Sequence, residues 1–206
     1  LTNLKIDNMR YQHDSIADET PQSAKEEPHK EYGFAAVASG DGFSELLVDM
    51  GMDRIIMGGQ TMNPSTDDIY SAIKDINADN IIIFPNNKNI IMAAEQAIPL
   101  ATRKVCVLPT RTIPQGISAM LAFDEDMQVN ENLLEMTKAA ENTATGQITY
   151  AARNSNYDGK EIKEGEILAL KEGKIAFVEK DIIKAVAKLT KALVTKDSCQ
   201  VTLITG

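Results

Sequence analysis

Tryptophan is absent from these 206 residues, and the chain has only two histidines and two cysteines. Each scarcity removes a class of function. His13 and His29 both fall in the polar N-terminal stretch, so no base stands beside the later polar loops, and Ser/His or Cys/His arrangements drop out. Cys106 and Cys199 lie far apart, each within an apolar, strand-like run. Two such cysteines make neither a disulfide framework nor a metal motif, and they are expected as buried, reduced thiols of a cytosolic protein. No metal site is expected. No stretch approaches the roughly 18 unbroken apolar residues of a membrane span, and no signal-peptide pattern opens the chain. Basic clusters are missing as well. Asp and Glu number 30 against 21 Lys and Arg, for a formal net charge of −9. Nucleic acid needs a basic face, so none is expected as a partner.

What remains is an ordinary globular composition, 43% hydrophobic and 25% charged, enough for one large domain or two small ones with a real core. Three parts are expected. Residues 1–30, rich in Glu, Asp, Ser and Pro from Ser15 to Lys30, read as the end of a preceding domain and a flexible linker. Because the first residue is Leu1, the native chain is expected to extend upstream. Residues 31–128 alternate short apolar runs with helical segments: Phe34–Ala38, Arg54–Met57, Ile81–Phe84 and Val105–Leu108 as strands, with Phe43–Met50, Ser65–Ile76, Asn89–Ile98 and Gly116–Phe123 as helices. Nearly continuous Ile and Val mark strands covered on both faces, and strand–helix repeats of this length imply a parallel sheet. Phe43, Leu46, Leu47 and Met50 share one helical face, as do Ile69, Ile73 and Ile76, and Ser65 with Asp68 makes a capping-box start.

Residues 129–206 change rhythm. A helix over Glu131–Glu141 precedes strand-like runs at Gly146–Arg153, Gly165–Leu170 and Lys174–Glu179, with turns at Asp158-Gly159 and Glu172-Gly173. Asp181 is the expected N-cap of a last helix reaching Val194, striped by Ile182, Ile183, Val186, Leu189 and Leu193, and Val201–Ile204 is expected as a closing strand. The predicted fold class is therefore α/β, a Rossmann-like parallel half followed by an α+β half with antiparallel strands.

Three polar loops follow the second, third and fourth strands: Gly58-Gly59-Gln60-Thr61-Met62-Asn63-Pro64-Ser65, Pro85-Asn86-Asn87-Lys88-Asn89 and Pro109-Thr110-Arg111-Thr112-Ile113-Pro114-Gln115-Gly116. In a parallel sheet all three leave the carboxyl edge, where such folds bind ligands, and each leads into a helix N-terminus suited to anionic groups. Binding residues are expected among Gly58, Gly59, Gln60, Thr61, Asn63, Ser65, Asn86, Asn87, Lys88, Arg111, Thr112 and Gln115. The plainer alternative is that the glycines turn the chain and the asparagines cap helices. The Gly pair fits neither a dinucleotide fingerprint nor a P-loop. Asp67 and Asp68 sit in a first helical turn, and Asp124, Glu125 and Asp126 diverge in direction, so no catalytic constellation assembles.

Taken together, the loop strings at 58–66, 85–89 and 109–116, with Thr-Gly-Gln-Ile-Thr-Tyr-Ala at 145–151, resemble the C-terminal region of the dihydroxyacetone-kinase-like, ATP-dependent subunit of the bacterial fatty acid kinase of Gram-positive bacteria. The opening Lys5-Ile6-Asp7-Asn8-Met9-Arg10 resembles the tail of that family's middle domain. The resemblance implies that ATP and magnesium belong to a kinase domain outside these residues. It also implies that this region docks a DegV-type fatty-acid-binding protein whose acyl carboxylate is phosphorylated for phospholipid synthesis. No catalytic residue carries over. Two alternatives stay open. Gln60–Ser65 also resembles a segment of the DegV-type carriers themselves, implying direct binding of a fatty acid or another small anion, and the region could instead support a homodimer of the parent protein.

Overall fold

The protein is described here from a computed structural model covering residues 29–59, 62–157 and 160–205. Its four apolar runs form one parallel sheet of β1 (Lys30–Ala38), β2 (Arg54–Met57), β3 (Ala78–Phe84) and β4 (Lys104–Val107), in the order β2-β1-β3-β4. Register is set by pairs such as Val37 with Ile56, Ala36 with Phe84, and Ile83 with Val107. Between and after these strands run α1 (Asp41–Asp49), α2 (Thr66–Ile73), α3 (Ile91–Ala97), α4 (Ile113–Leu121) and α5 (Val129–Glu141).

Strand alternation decides which helix goes where. Ala35, Val37, Ile81 and Ile83 point to one face and bury against Ile69, Ile73 and Ile76 around α2 and against Ala94 of α3. Phe34, Ala36, Ile82 and Phe84 point to the other, against Leu47 of α1, Ala119 of α4 and Met136 of α5. Both faces are therefore covered, which is why the runs hold so few polar residues. Neighbouring strands β1 and β3 send their chains to opposite faces, since α1 and α3 lie on different sides of the sheet. That divergence is the topological switch point of an open α/β sheet, and it sits between Ser39 and Pro85. At the opposite edge the buried carboxylate of Asp53 accepts the Phe34 N–H at 2.8 Å and pairs with the Lys30 ammonium, fixing β1 to the start of β2.

The second half holds β5 (Gly146–Tyr150), β8 (Ile167–Lys171) and β9 (Lys174–Glu179) as a three-stranded sheet ordered β5-β8-β9, with β6 (Ser155–Tyr157) and β7 (Lys160–Ile162) as a separate hairpin. All of these pairs are antiparallel. The turn between β8 and β9 has Glu172 at φ 50° and Gly173 at φ 75°, the two successive left-handed residues that a tight hairpin requires. Helix α6 (Ile182–Leu193) starts where Asp181 accepts the Lys184 N–H at 2.8 Å, as expected of an N-cap.

Several expectations for this half need correction. The run from Gly146 ends as a strand at Tyr150, with Ala151 still hydrogen-bonded to Gly165 and Glu166 and with Arg153 beyond the strand, and Asp158-Gly159 lies outside the described residues. The buried seam of α6 passes through Ala185 and Leu189, where a small residue lets the helix approach the sheet, and leaves Ile182 and Ile183 exposed. Ile183 is turned about 100° from its neighbour by helical geometry and stands 76% exposed. Val201–Ile204 has strand composition but no paired neighbour among the described strands, and the segment lies exposed outside the sheets. Cys199 lies just before it and is exposed, while Cys106 in edge strand β4 is half-buried, so neither thiol is the fully buried one expected. The expected boundary at 128/129 falls directly before α5, whose Met136 and Ala140 close the core of the parallel half.

Gly33 tests the packing of the parallel half. A Cβ there would lie 2.4 Å from Ile76 Cγ2 and 2.9 Å from Ala78 Cβ. Gly33→Ala is expected to lower stability by about 1–3 kcal/mol through overpacking, seen as a lower urea midpoint with an unchanged slope.

Candidate functional site

Because every strand of the first sheet is parallel, the loops after β2, β3 and β4 do leave one edge. The β2 loop folds back over the end of β1. The Gly58 N–H continues the ladder to Ala38 O at 3.0 Å, and the Gly59 N–H reaches Met62 O at 2.9 Å. A Cβ on Gly58 would meet Pro64 Cδ at 2.6 Å, and one on Gly59 would meet Ser39 Cβ at 2.8 Å, so both glycines serve close packing. Gln60 and Thr61 lie outside the described residues. Asn63 is exposed at the loop's tip. Ser65 closes the loop as the N-cap of α2: its Oγ accepts the Asp68 N–H at 3.2 Å, and its own N–H donates to Asp68 Oδ2 at 2.8 Å. The Ser65 hydroxyl also donates to Asp68 Oδ2 at 2.7 Å, and this bond first, then the one from the Ser65 N–H, holds the Asp68 carboxyl below the usual carboxylate range.

The β3 and β4 loops are bound to each other. Asn86 is only 8% exposed and adopts φ 54°. Its N–H donates to Thr110 Oγ1 at 3.1 Å, and its Nδ2 donates to Val37 O at 3.0 Å. Its amide lies over Gly116, where a Cβ would come within 2.2 Å of Oδ1. Asn86 and the wholly buried Thr110 thus join the ends of β1, β3 and β4 to the first turn of α4. Asn86 is framework, and its side chain does not reach the surface. Asn87 accepts the Asn89 N–H at 3.0 Å, and Lys88 is exposed. In the next loop Thr112 caps α4 by accepting the Gln115 N–H at 3.3 Å, and Gln115 Oε1 accepts the Arg111 N–H at 2.8 Å. The Arg111 side chain is exposed. Neither Lys88 nor Arg111 has an ion-pair partner among the described residues.

The twelve sequence-selected residues therefore divide. Gly58, Gly59, Ser65, Asn86, Thr112 and Gln115 build the edge, whereas Asn63, Lys88 and Arg111 project from it and Asn87 is half-exposed. They do not converge on a point. The β2 and β4 loops stand three strand positions apart, about 14 Å at the usual strand spacing.

Thr110 and Gly116 were missed as framework, and so was the turn Ser39-Gly40-Asp41-Gly42 after β1. Gly40 there has φ 87°, and α1 carries no side-chain cap. Two glycines spaced by one residue after the first strand are the sequence signal for that turn. A shallow cavity of about 670 Å³ opens elsewhere, in the antiparallel half, lined in part by Tyr150, Glu164, Glu166, Glu179 and Asp181. No group of three or more His, Cys, Asp or Glu among the described residues is placed to hold a metal ion, and no described helix is long and apolar enough to cross a membrane.

The molecule is thus a doubly wound α/β domain with an antiparallel companion, two of its strand-end loops capping the helices that follow them. The family that groups the C-terminal regions of FakA-like fatty acid kinase subunits matches residues 33–206, and the chain belongs to that family. It is 41% identical over 209 residues to protein YloV of Bacillus subtilis (strain 168) and 40% identical over 207 residues to an uncharacterized protein of Staphylococcus aureus (strain USA300). Each match takes in the whole of this chain and 38% of the relative, so the chain spans well under half the length of the relatives it matches.

The Ser65–Asp68 box makes a pH prediction. A depressed carboxyl pKa in the fold contributes stability that is complete above the ordinary Asp value and lost as pH falls through the folded one. Asp68→Asn should therefore lower the thermal midpoint near neutral pH, and the gap to the parent should close on acidification. A gap independent of pH would show that the carboxylate charge is not what the cap uses.

Proposed function

We propose that this region is the docking module of a fatty acid kinase, receiving a DegV-type fatty-acid-binding protein in the cytoplasm. ATP and magnesium are then handled by residues outside this region, and the carrier's acyl carboxylate is the group phosphorylated. Family membership supports the first part of this reading. The observation that carries the rest is the spread of the strand-end edge. Its helix N-termini at α2 and α4 are capped by Ser65 and Thr112, while α1 and α3 carry no side-chain cap, so the loops after β2 and β4 each already commit a first-turn amide to themselves. Its outward side chains span about 14 Å, the scale of a protein footprint and too wide for a carboxylate to bridge. The 670 Å³ cavity lies in the antiparallel half, away from that edge.

Calorimetric titration of the full-length protein with purified, fatty-acid-loaded carrier, in the absence of ATP, is expected to show saturable binding. Removing residues 33–206 should abolish it. Equal affinity with and without this region would refute the docking assignment.

A further inference from the structure

The charge of this chain is unevenly placed. Residues 80–123 contain a single carboxylate, Glu95, against Lys88, Arg103, Lys104 and Arg111, within a chain whose net charge is −9. That stretch builds β3, α3, β4 and α4. Arg103 is held at the amino edge of the sheet by Asn77 and Ala78 O, and Lys104 begins β4 at the same edge. Lys88 and Arg111 are the two cations left at the carboxyl edge. They flank one hydrogen bond: Lys88 follows Asn86 by two residues and Arg111 follows Thr110 by one, and the Asn86 N–H meets Thr110 Oγ1 at 3.1 Å. Both exposed cations are thereby mounted on a rigid, buried tie.

Apolar surface adjoins them. Met92, 68% exposed, lies on the first turn of α3, four residues after Lys88. Gln96, one turn further along the same face, touches Thr66 at the start of α2 at 3.3 Å. Met92 therefore stands beside the approach to α2, the segment that carries Met62, itself 71% exposed. Methionine is flexible and polarizable and suits surfaces that must fit an irregular partner, and here Met92 stands exposed beside cations that have no ion-pair partner among the described residues.

Resting on the docking reading above, we propose that the β3/β4 side of the carboxyl edge, centred on Lys88, Arg111 and Met92 with Met62 of the β2 loop at its margin, is the docking face, and that it takes a protein surface bearing carboxylates around apolar side chains. Opposite charges there steer encounter, so they act on the association rate and its salt dependence. The methionines act on the lifetime of the complex through buried area.

The test measures association and dissociation rates of the full-length protein with the fatty-acid-loaded carrier across ionic strength. Lys88→Glu with Arg111→Glu should weaken binding by about 10-fold or more, chiefly through the association rate, and flatten its salt dependence. Met92→Ser should speed dissociation and leave the salt slope alone. Lys104→Glu at the opposite edge should change nothing, and unchanged circular dichroism would show that the variants fold. Carrier binding that is indifferent to the Lys88/Arg111 pair would overturn this face while leaving the docking reading intact. Absence of binding by the parent protein would overturn both. Competition by inorganic phosphate would assign the cations to a small anion, and a changed sedimentation coefficient of the variant alone would assign the face to a second copy. Either result would overturn the proposal.

Discussion

One buried amide holds the working edge of this domain together. Asn86 sits at a left-handed φ and gives its N–H to Thr110 and its Nδ2 hydrogens to a carbonyl near the end of β1, at Val37. Three strand ends and one helix start are fixed by that single residue, because its amide also occupies the space over Gly116. Asn tolerates the left-handed region better than other side chains, and a shorter or branched residue would lose either the conformation or the reach. A buried amide without such partners would be costly, so the loops around it are constrained to one arrangement. Lys88 and Arg111 inherit their positions from that constraint.

Much of the parallel half could be read from the chain. The Ile-rich runs, the Ile69/Ile73/Ile76 stripe and the Ser65–Asp68 cap are local patterns, and each has a local physical cause. The strand order β2-β1-β3-β4 could not be read in the same way, since which strands become neighbours is decided by crossovers over the sheet. The loops show the same division. That Asn86 turns inward and Asn87 stays half-exposed depends on Thr110 and Gly116, more than twenty residues away, and no short-range signal distinguishes two adjacent asparagines. Ile182, Ile183 and Val201–Ile204 failed for a related reason. Apolar residues at helical or strand spacing bury only where another element comes to cover them, and none of the described elements does so.

The family assignment and the edge geometry bear on different questions. Matching across residues 33–206 says which lineage of proteins this region belongs to. The edge geometry shows that the starts of α2 and α4 commit a first-turn amide to their own loops, while those of α1 and α3 have no side-chain cap. Asn63, Lys88 and Arg111 stand exposed along that edge in three separate places.

Helix α5 carries a consequence for how the region can be inherited or divided. It follows the last parallel strand unit and looks like the opening of the second half, yet Met136 and Ala140 pack with Phe34, Met52 and Phe84. Asn132 binds back to Asp124 and to Met127 O, pinning the preceding loop beneath it. A gene fusion or excision that broke the chain at residue 128 would leave that aromatic cluster without its roof. The natural seam for shuffling lies beyond Glu141, in the few residues before β5, where Thr112 of the first half meets Thr145 in a hydrogen bond of 2.9 Å.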